Sequence, residues 1–369
     1  MKFALFYEIP VARPWTKDKE HQAFKNVLEQ AVLGDQAGFH SVWTVEHHFL
    51  EEYSHCSNPE VLYGAIAART RKIRIGYGVR LGPKPYNHPV RSAESAAVLD
   101  LLSDGRVEFG TGRSSTRIEM EGFGLHPNQT REMWHEAVSH IVTCWSEDEA
   151  EFSGKHWQLP KRRVLPKPFQ SPHPPVWGAT GSLDGHRMMG ELGLGLLSFS
   201  VGTPPEELKQ RVDVYRAGLA ACRQPLGRFV NDRAACFTMV NCAKTREESY
   251  AVSKRSFEWY ARRSAELVAS VPLWLEELKG QADGTYAYLD AARQAVEQRL
   301  HELASLDALL AMNAVIAGDP SEVVERCKKY AETGADLLLC LLNPYEIPHE
   351  KVMQTIELMG EHVLPAFRS

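Results

Sequence analysis

The clearest indication of the fold is the sequence Ser41-Val42-Trp43-Thr44-Val45-Glu46-His47-His48-Phe49. Its first part, Ser41–Val45, is rich in β-branched and aromatic side chains, a pattern typical of a buried strand. The strand ends in an acid and two adjacent imidazoles, Glu46, His47 and His48. Parallel α/β folds build their active sites at the carboxyl ends of strands. The stretch therefore predicts a buried parallel strand that delivers titratable groups to a site.

Outward from this stretch, strand patterns and helix patterns alternate along the whole chain. Such repetition with eight strands favours an α/β fold in which a parallel sheet closes as a (β/α)8 TIM barrel, with an open doubly wound sheet as the alternative. The predicted strands are Phe3–Tyr7, Ser41–Val45, Lys72–Val79, Arg106–Gly110, Pro174–Gly178, Gly195–Phe199, Ala234–Cys242 and Asp336–Leu342.

Two segments depart from this repeat. Residues 246–312, between the seventh and eighth predicted strands, are far too long for one barrel helix and indicate two or three amphipathic helices, for example Tyr286–Leu310. A structureless loop of that length is uncommon, so we expect a folded helical insertion on the rim, either as ordinary packing or as a lid or pocket wall. Residues 151–158 predict a hairpin around Gly154. We expect residues 1–369 to form a single domain.

Composition excludes several classes of partner. Of the 369 residues, 44% are hydrophobic and 24% are charged, and the net charge is −5. The sequence has no run of five like charges, so nothing in it predicts binding to nucleic acid or to an anionic membrane. No apolar stretch is long enough to span a bilayer. The seven cysteines form no CxxC pair, which indicates free thiols in a reducing cytoplasm. Two arginines on the third strand, Arg74 and Arg80, are expected to be solvated.

The residues alone leave the role of the two histidines open. Successive side chains at a strand end point to opposite sides, so at most one of His47 and His48 faces the mouth of a barrel. They could be a structural pair or catalytic groups. A metal site would need three or four ligands, and no HxH or HExxH spacing is present, so we expect no metal.

Two glycine-containing turns are candidates for binding a phosphate. In the segment that ends Gly110-Thr111-Gly112-Arg113, the glycines allow close approach of a ligand, and Arg113 can fork onto an anion. After the fifth predicted strand, residues 179–185 read Ala-Thr-Gly-Ser-Leu-Asp-Gly and open a helix. Free N–H groups at a helix start bind anions, although an ordinary serine N-cap is an equal alternative.

Three segments together resemble the bacterial luciferase-like flavin monooxygenases: Glu46-His47-His48-Phe49, the series from Asn87 to Arg113, and the turn Gly181–Gly185. The resemblance implies that His47 is catalytic and His48 supports it. It implies contacts to the cofactor from the residues Glu46, Gly78, Val79, Arg113, Arg131, Gly181, Ser182 and Gly185. Gly78–Val79 matches a non-prolyl cis peptide of the family. Gly185 departs from the pattern, which has a hydroxyl side chain there.

The same resemblance implies a two-component reaction. A separate NAD(P)H:flavin reductase would supply reduced FMN, which reacts with O2 to a C4a-(hydro)peroxyflavin that oxygenates a small organic substrate. No GxGxxG motif follows a strand and opens a helix, so we expect no nicotinamide site in the chain itself. A homodimer is expected by analogy. The alternatives are hydride transfer with a deazaflavin on the same barrel, a non-catalytic flavin-binding protein, and a luminescent role.

Overall fold

A closed parallel barrel forms the centre of the molecule. The computed structural model describes residues 1–277 and 305–368. Each barrel strand pairs in parallel with two neighbours, and the last barrel strand closes the ring between the first and the seventh. The predicted (β/α)8 barrel is therefore confirmed. Its strands are β1 (Lys2–Tyr7), β2 (Ser41–Thr44), β3 (Arg74–Tyr77), β5 (Val107–Gly112), β8 (Val176–Thr180), β9 (Gly195–Ser198), β10 (Ala234–Cys242) and β12 (Leu337–Leu341).

Four short strands supplement the barrel. β4 (Arg80–Leu81) resumes the line of β3 and pairs with β5, while β11 (Ile316–Gly318) pairs with the end of β10. The antiparallel pair β6 (Ala150–Ser153) and β7 (Gln158–Arg162) confirms the predicted hairpin.

Helices connect the strands, and local signals set their ends. Proline occupies the first turn of α2 and α3, where its missing N–H costs no hydrogen bond. Gly38 follows α1 in the left-handed conformation that glycine favours. The helices are α1 (Lys19–Ala37), α2 (Pro59–Arg69), α3 (Pro89–Leu102), α4 (Arg117–Gly122), α5 (Thr130–Ser146), α6 (Leu183–Glu191), α7 (Pro205–Ala221), α8 (Arg246–Glu277), α9 (Leu306–Ala311), α10 (Pro320–Ala331) and α11 (His349–Leu358).

Large side chains and one buried acid fill the barrel. Trp43 and Trp177 are fully buried and meet edge to face, with ring centroids 5.6 Å apart. At the amino end, the fully buried Glu108 accepts hydrogen bonds from Arg74 and Arg233. Buried carboxylates require such partners because burial without them is costly. Glu108 therefore closes the end of the barrel opposite to the one where the strands finish.

The expectation that Arg74 and Arg80 are solvated was wrong. The Arg74 guanidinium bonds to Glu108 at 2.5 Å. Arg80 is buried and pairs with Glu60 and Glu46, while its Nε donates to Ser92. Each arginine pairs with an acid that lies up to 34 residues away in the sequence. Such pairs form only when the neighbouring strands and loops come together.

The helical insertion between the seventh and eighth barrel strands is confirmed over the described residues. α8 is a single helix of 32 residues with Pro272 inside it, and α9 follows at Leu306. Most of the predicted helix Tyr286–Leu310 lies outside the described residues. No helix in the described ranges is both long and apolar enough to cross a bilayer.

Candidate active site

A cavity of about 280 Å³ opens at the carboxyl ends of the barrel strands. Its wall is made largely of the residues that directly follow a strand, because parallel strands all end at the same rim. Glu8 follows β1, His47 lies just after β2, and Arg113 follows β5. The rim thus brings together side chains that are far apart in the sequence.

All predicted site residues except His48 line this cavity. The ones it brings together are Glu46, His47, Gly78, Val79, Arg113, Arg131, Gly181, Ser182 and Gly185. His48 faces away, against the rings of Tyr86 and Phe123. Both histidines lie in the loop after β2, where the His47 side chain is held by Glu119 and the His48 ring packs on Tyr86 and Phe123.

The imidazole of His47 lies between two acids. Its Nδ1 is 2.9 Å from Glu119 Oε1, and its Nε2 is 3.6 Å from Glu8 Oε2. Burial disfavours the charged imidazole, but the negative charges of Glu119, Glu8 and Glu46 and the Glu119 hydrogen bond outweigh it and raise the pKa of His47 to about 9. His47 is therefore an imidazolium at neutral pH, able to donate a proton into the cavity.

Glu119 is the fixed counter-charge of this imidazolium. It is fully buried in α4, where Thr116 caps the helix by accepting from Glu119 N–H. The Thr116 hydroxyl donates back to Glu119 Oε2, and His48 N–H donates to Oε1. Burial opposes ionisation, but the charge and hydrogen bond of His47 and these donors prevail and hold the pKa of Glu119 below its usual range.

Glu8 is the second acid beside His47, and its environment differs. Its Oε1 accepts the Tyr260 hydroxyl at 2.8 Å, and Tyr53 donates to the Tyr260 oxygen at 2.7 Å. The two tyrosine rings stack with centroids 5.1 Å apart. Burial raises the pKa of Glu8 despite the opposing charge of His47. One imidazolium thus faces an ionised carboxylate on one side and a carboxyl that resists ionisation on the other.

The carboxylate of Glu46 serves mainly to hold the loops after β2 and β3 together. Its oxygens accept from Leu81 N–H at 2.9 Å and from the Asn87 amide at 2.8 Å. Arg80 lies 3.6 Å away, and His48 Nε2 lies 3.5 Å away. Glu46 therefore reaches the cavity as part of its wall, with its oxygens engaged by protein groups.

The opposite wall of the cavity is cationic and rich in N–H donors. Arg113 and Arg131 project from the end of β5 and the first turn of α5, and the turn Gly181–Ser182 leads into α6. Within the described ranges, the buried Nε of Arg131 has no hydrogen-bond partner. An arginine donor without a partner, next to a helix N-terminus, is suited to binding a phosphate.

The two glycines of this turn have different structural reasons. A Cβ at Gly185 would come 1.9 Å from Thr180 Oγ1, so the threonine hydroxyl occupies the space that a side chain at 185 would need. A Cβ at Gly181 would meet nothing closer than Phe199 Cβ at 4.0 Å. Packing thus excludes a larger residue at Gly185, while Gly181 leaves open space toward the cavity.

The glycine-rich part of β3 and β5 is organised by packing inside the barrel. The Gly78–Val79 peptide is cis, as the family resemblance implied. The expectation that Gly110 allows close approach of a ligand was wrong, because a Cβ there would strike the Tyr77 carbonyl at 1.9 Å. Gly112 does line the cavity, where it packs against the side chain of Val79.

The insertion forms the roof of the cavity. Leu267, Val268 and Val271 of α8 line it with apolar groups, and Ser264 adds one hydroxyl. The end of α8 is tied to α4, since Arg117 pairs with both Glu121 and Glu277. Of the two alternatives for the insertion, the described part is therefore a pocket wall.

Sequence reasoning missed Glu8, Glu119, Tyr53 and Tyr260 as site residues. Glu8 had a signal of the same kind as Glu46, an acid directly after a buried strand. Thr116-x-x-Glu119 has the spacing of a helix-capping box, which indicated a helix start but not a partner for His47. Nothing local pointed to Tyr260, which reaches Glu8 across 252 residues.

Comparison with known protein families gives an independent result. A family model described as luciferase-like monooxygenase matches residues 1–337. The oxygenase component of the flavin-dependent trigonelline monooxygenase of Acinetobacter baylyi is 24% identical over 369 residues, covering 100% of this chain and 96% of that protein.

Solved structures share the fold over almost the entire chain. A monooxygenase from Streptomyces bottropensis superimposes with a TM-score of 0.78 at 24% identity, with 100% of both chains covered. The oxygenating constituent of 3,6-diketocamphane monooxygenase from Pseudomonas putida, in complex with FMN, gives 0.73 at 21% identity, covering 99% and 98%. A coenzyme F420-dependent secondary alcohol dehydrogenase gives 0.72 at 21% identity, covering 100% and 99%. The barrel is thus shared by oxygen-using and hydride-transferring enzymes.

Proposed function

Because this chain belongs to the luciferase-like monooxygenase family, we propose that it is the oxygenase of a two-component flavin monooxygenase. It uses reduced FMN, supplied by a separate NAD(P)H:flavin reductase, and O2 to oxygenate a small organic substrate. The observation that carries the proposal is the division of one cavity into a phosphate-binding wall and an imidazolium wall, with an apolar roof across both.

The residues present suit a phosphorylated flavin. The unpartnered Nε of Arg131 requires an acceptor, and Arg113 lines the same wall. The open space at Gly181 would let a phosphate approach the start of α6. Arg113, Arg131, Gly181 and Ser182 would hold the phosphate, and Gly185 would keep the turn tight around Thr180. Gly78, Val79 and Glu46 would form the wall beside the ring system.

Reduced flavin supplies the two electrons with which O2 is activated. The protein's own contribution is to position, to protonate and to exclude water. His47 holds a proton at Nε2, on the cavity side of an imidazole that Glu119 keeps charged and oriented. Leu267, Val268 and Val271 line the same cavity as His47 with apolar groups. They exclude water, which protects a reactive intermediate from hydrolysis. His48 lies outside the cavity and supports the site through its contact with Glu46.

The roof also favours one class of substrate. Three aliphatic side chains of α8 face the cavity, and Ser114, Ser115 and Ser264 add hydroxyl groups to its lining. A mostly apolar organic molecule of small size fits this lining. No metal takes part in the proposal, and in residues 1–277 and 305–368 no three His, Cys, Asp or Glu side chains form a metal-binding group.

We further propose a cytoplasmic homodimer. Helices α2 and α3 expose an apolar face that includes Val61, Val98, Leu101 and Leu102. Val98, Leu101 and Leu102 are three and four positions apart and so share one side of α3. An exposed apolar face of this kind marks an interaction surface. Sedimentation should give a dimer that Leu102→Glu dissociates, whereas Val230→Glu, at an exposed valine elsewhere, should not.

The proposal is tested by mixing the protein and reduced FMN with oxygenated buffer in a stopped-flow spectrometer. We expect a transient absorbance that differs from reduced and oxidised FMN and outlasts the oxidation of free FMN. His47→Ala should shorten it at least tenfold, since a general acid or hydrogen-bond donor contributes about 100-fold or more. His21→Ala, at an exposed histidine of α1, is the matched control.

The opposite outcome points to the second candidate function. If folded protein oxidises reduced FMN no differently from buffer, the monooxygenase proposal fails. The F420-dependent neighbour then makes hydride transfer from a reduced deazaflavin the next hypothesis. Titration with that coenzyme, followed by its fluorescence, distinguishes this enzyme from a protein that only binds flavin.

A further inference from the structure

The carboxyl group of Glu8 is a buried titratable group that the proposed mechanism does not use. Glu8 is 3% exposed, and its Oε1 is bonded to Tyr260. Its Oε2 lacks a hydrogen-bond partner within the described part of the chain, and the nearest candidate is His47 Nε2 at 3.6 Å. Leaving a buried acceptor unsatisfied is unfavourable, so this oxygen requires an explanation.

The groups that face Glu8 determine its protonation state. They come from four elements: His47 after β2, Tyr53 in the following loop, Glu119 in α4 and Tyr260 in α8. His47 is the one cation among them, and Glu119 already balances its charge at 2.9 Å. A second carboxylate on the same imidazolium would leave a net negative charge in a buried site, which is strongly unfavourable. Burial and this repulsion therefore raise the pKa of Glu8 and favour its neutral form while Glu119 is ionised.

A neutral acid gives the orphan oxygen a function. If Oε2 carries the proton of Glu8, it is a donor aimed at the ring nitrogen that faces the cavity. While His47 Nε2 keeps its own proton, the two atoms face each other as donors. Once that proton has left, Nε2 is an acceptor, and shortening the 3.6 Å separation by less than 1 Å brings Oε2 to hydrogen-bond distance. Catalytic hydrogen bonds are often this long before ligands bind.

We infer that Glu8 is the proton reserve of His47: Glu8 Oε2 passes its proton to His47 Nε2 when His47 gives its own proton to an oxygen atom in the cavity. One N–H and one O–H bond break, one O–H and one N–H bond form, and no electrons are transferred. Glu8 is left as a carboxylate that Tyr260 stabilises by donating to Oε1. Glu8 acts through His47 and is a positioning and supplying residue. The inference rests on the proposed function for the oxygen atom that receives the proton.

The position of Tyr260 links this reserve to the insertion. Tyr260 belongs to α8, the helix whose next turns form the apolar roof at Leu267 and Val268. It stacks on Tyr53 and donates to Glu8. Helix α8 therefore covers the cavity and also provides the Tyr260 hydroxyl, which donates a hydrogen bond to Glu8 and stabilises its negative charge.

Infrared spectroscopy of the flavin-free protein tests the inference directly. A protonated carboxylic acid has a carbonyl-stretch band separate from carboxylates and amides. We expect this band at pH 7 in the wild-type protein, its loss in Glu8→Gln, and its retention in Glu266→Gln, an exposed glutamate of the same helix α8. A wild-type protein without the band, or a band that survives Glu8→Gln, would overturn the inference.

A second variant keeps the test decisive if Glu8→Gln does not fold. Tyr260→Phe preserves the ring stack with Tyr53 but removes the hydroxyl that stabilises ionised Glu8. The pH at which half of the acid band is lost should rise by about one unit, because a hydrogen bond to the charged form lowers a pKa. An unchanged or lower midpoint would contradict the assignment.

The connection to His47 has its own measurement. With ¹⁵N-labelled histidine, the His47 ring nitrogens should titrate in two steps in the wild-type protein, since the protons of a coupled pair leave in two macroscopic stages. Glu8→Gln should leave one step. Identical titrations would show that Glu8 and His47 do not share protons. Neither experiment contains flavin, so the inference fails or survives independently of the monooxygenase proposal.

Discussion

At the scale of single residues, His47 and Glu119 couple the site to the stability of the fold. The pKa of His47 rises to about 9 in the folded protein, from about 6.5 in an unfolded chain. Protonation therefore favours folding. The stabilisation is fully present below about pH 6.5 and is lost as the pH rises through about 9.

This linkage predicts the pH dependence of unfolding. The free energy of unfolding of the wild-type protein should fall between pH 6.5 and 9.5 by on the order of 1–3 kcal/mol. In Glu119→Gln the fall should be smaller, because the imidazolium loses its charge partner at 2.9 Å and burial then lowers the pKa of His47. Denaturant titrations at several pH values measure both slopes, and equal slopes would contradict the assigned pair.

The two glycines of the phosphate turn predict opposite results for the same substitution. Gly185→Ala should cost roughly 1–3 kcal/mol of stability, because its Cβ would overlap Thr180 Oγ1. Gly181→Ala has room for its methyl group and should leave stability within about 0.5 kcal/mol. It should nevertheless weaken FMN binding, and weaken riboflavin binding less, since riboflavin lacks the phosphate. Equal losses for both flavins would remove Gly181 from the phosphate site.

At the scale of elements, α8 is the part of the molecule that separates this barrel from a plain strand-helix repeat. Its residues Ser264, Leu267, Val268 and Val271 face the cavity at the spacing of one helix side. The same helix donates to Glu8 through Tyr260, one turn before this segment, and pairs with Arg117 of α4 through Glu277, after it. The roof is therefore anchored at both ends of the segment that covers the site.

A charge placed on the roof should affect chemistry before it affects folding. Val268→Asp brings water and a negative charge to the cavity, so we expect the transient absorbance after mixing with O2 to decay at least tenfold faster. Ala269→Asp puts the same charge on the next residue, which does not line the cavity. Circular dichroism checks that both variants fold. Similar decay in the two variants would show that α8 does not keep the site dry.

At the scale of the whole molecule, the two ends of the barrel have separate tasks. The carboxyl end carries the cavity, whereas the amino end is closed by Glu108 with Arg74 and Arg233. The Trp177 indole N–H also donates to Glu108 at 2.8 Å. This buried network connects four strands or their starts, and among the described residues none of its four members lines the cavity.

Removing the Glu108 charge should therefore lower stability and leave binding intact. Glu108→Gln leaves two arginines without their carboxylate and should cost roughly 3–5 kcal/mol. Glu94→Gln breaks the exposed pair with Arg91 and should cost less than about 1 kcal/mol. Flavin affinity, measured well below the unfolding transition, should match the wild type in both. Loss of affinity in folded Glu108→Gln would contradict the separation of the two ends.

Local patterns in the sequence were enough to predict the order of the elements and many of the residues that line the cavity. The predicted ends of the eight strands agree with those in the structure to within about two residues, because alternation, capping and turn signals act over short ranges. A family resemblance in ordered local motifs pointed to His47 and the turn Gly181–Gly185 for the same reason, and these residues line the cavity. The hairpin and the helical insertion were predicted from local length and pattern.

The groups that meet at His47 could be identified only from the tertiary structure. Glu119 reaches it across 72 residues, and Tyr260 reaches Glu8 across 252. Such distances depend on barrel closure and on where α8 lies, and no local pattern encodes them. The same holds for Arg80, whose burial beside Glu46 and Glu60 overturned the expectation of a solvated side chain. Charge states and partners are properties of the assembled rim, because each depends on the field and burial that distant segments create.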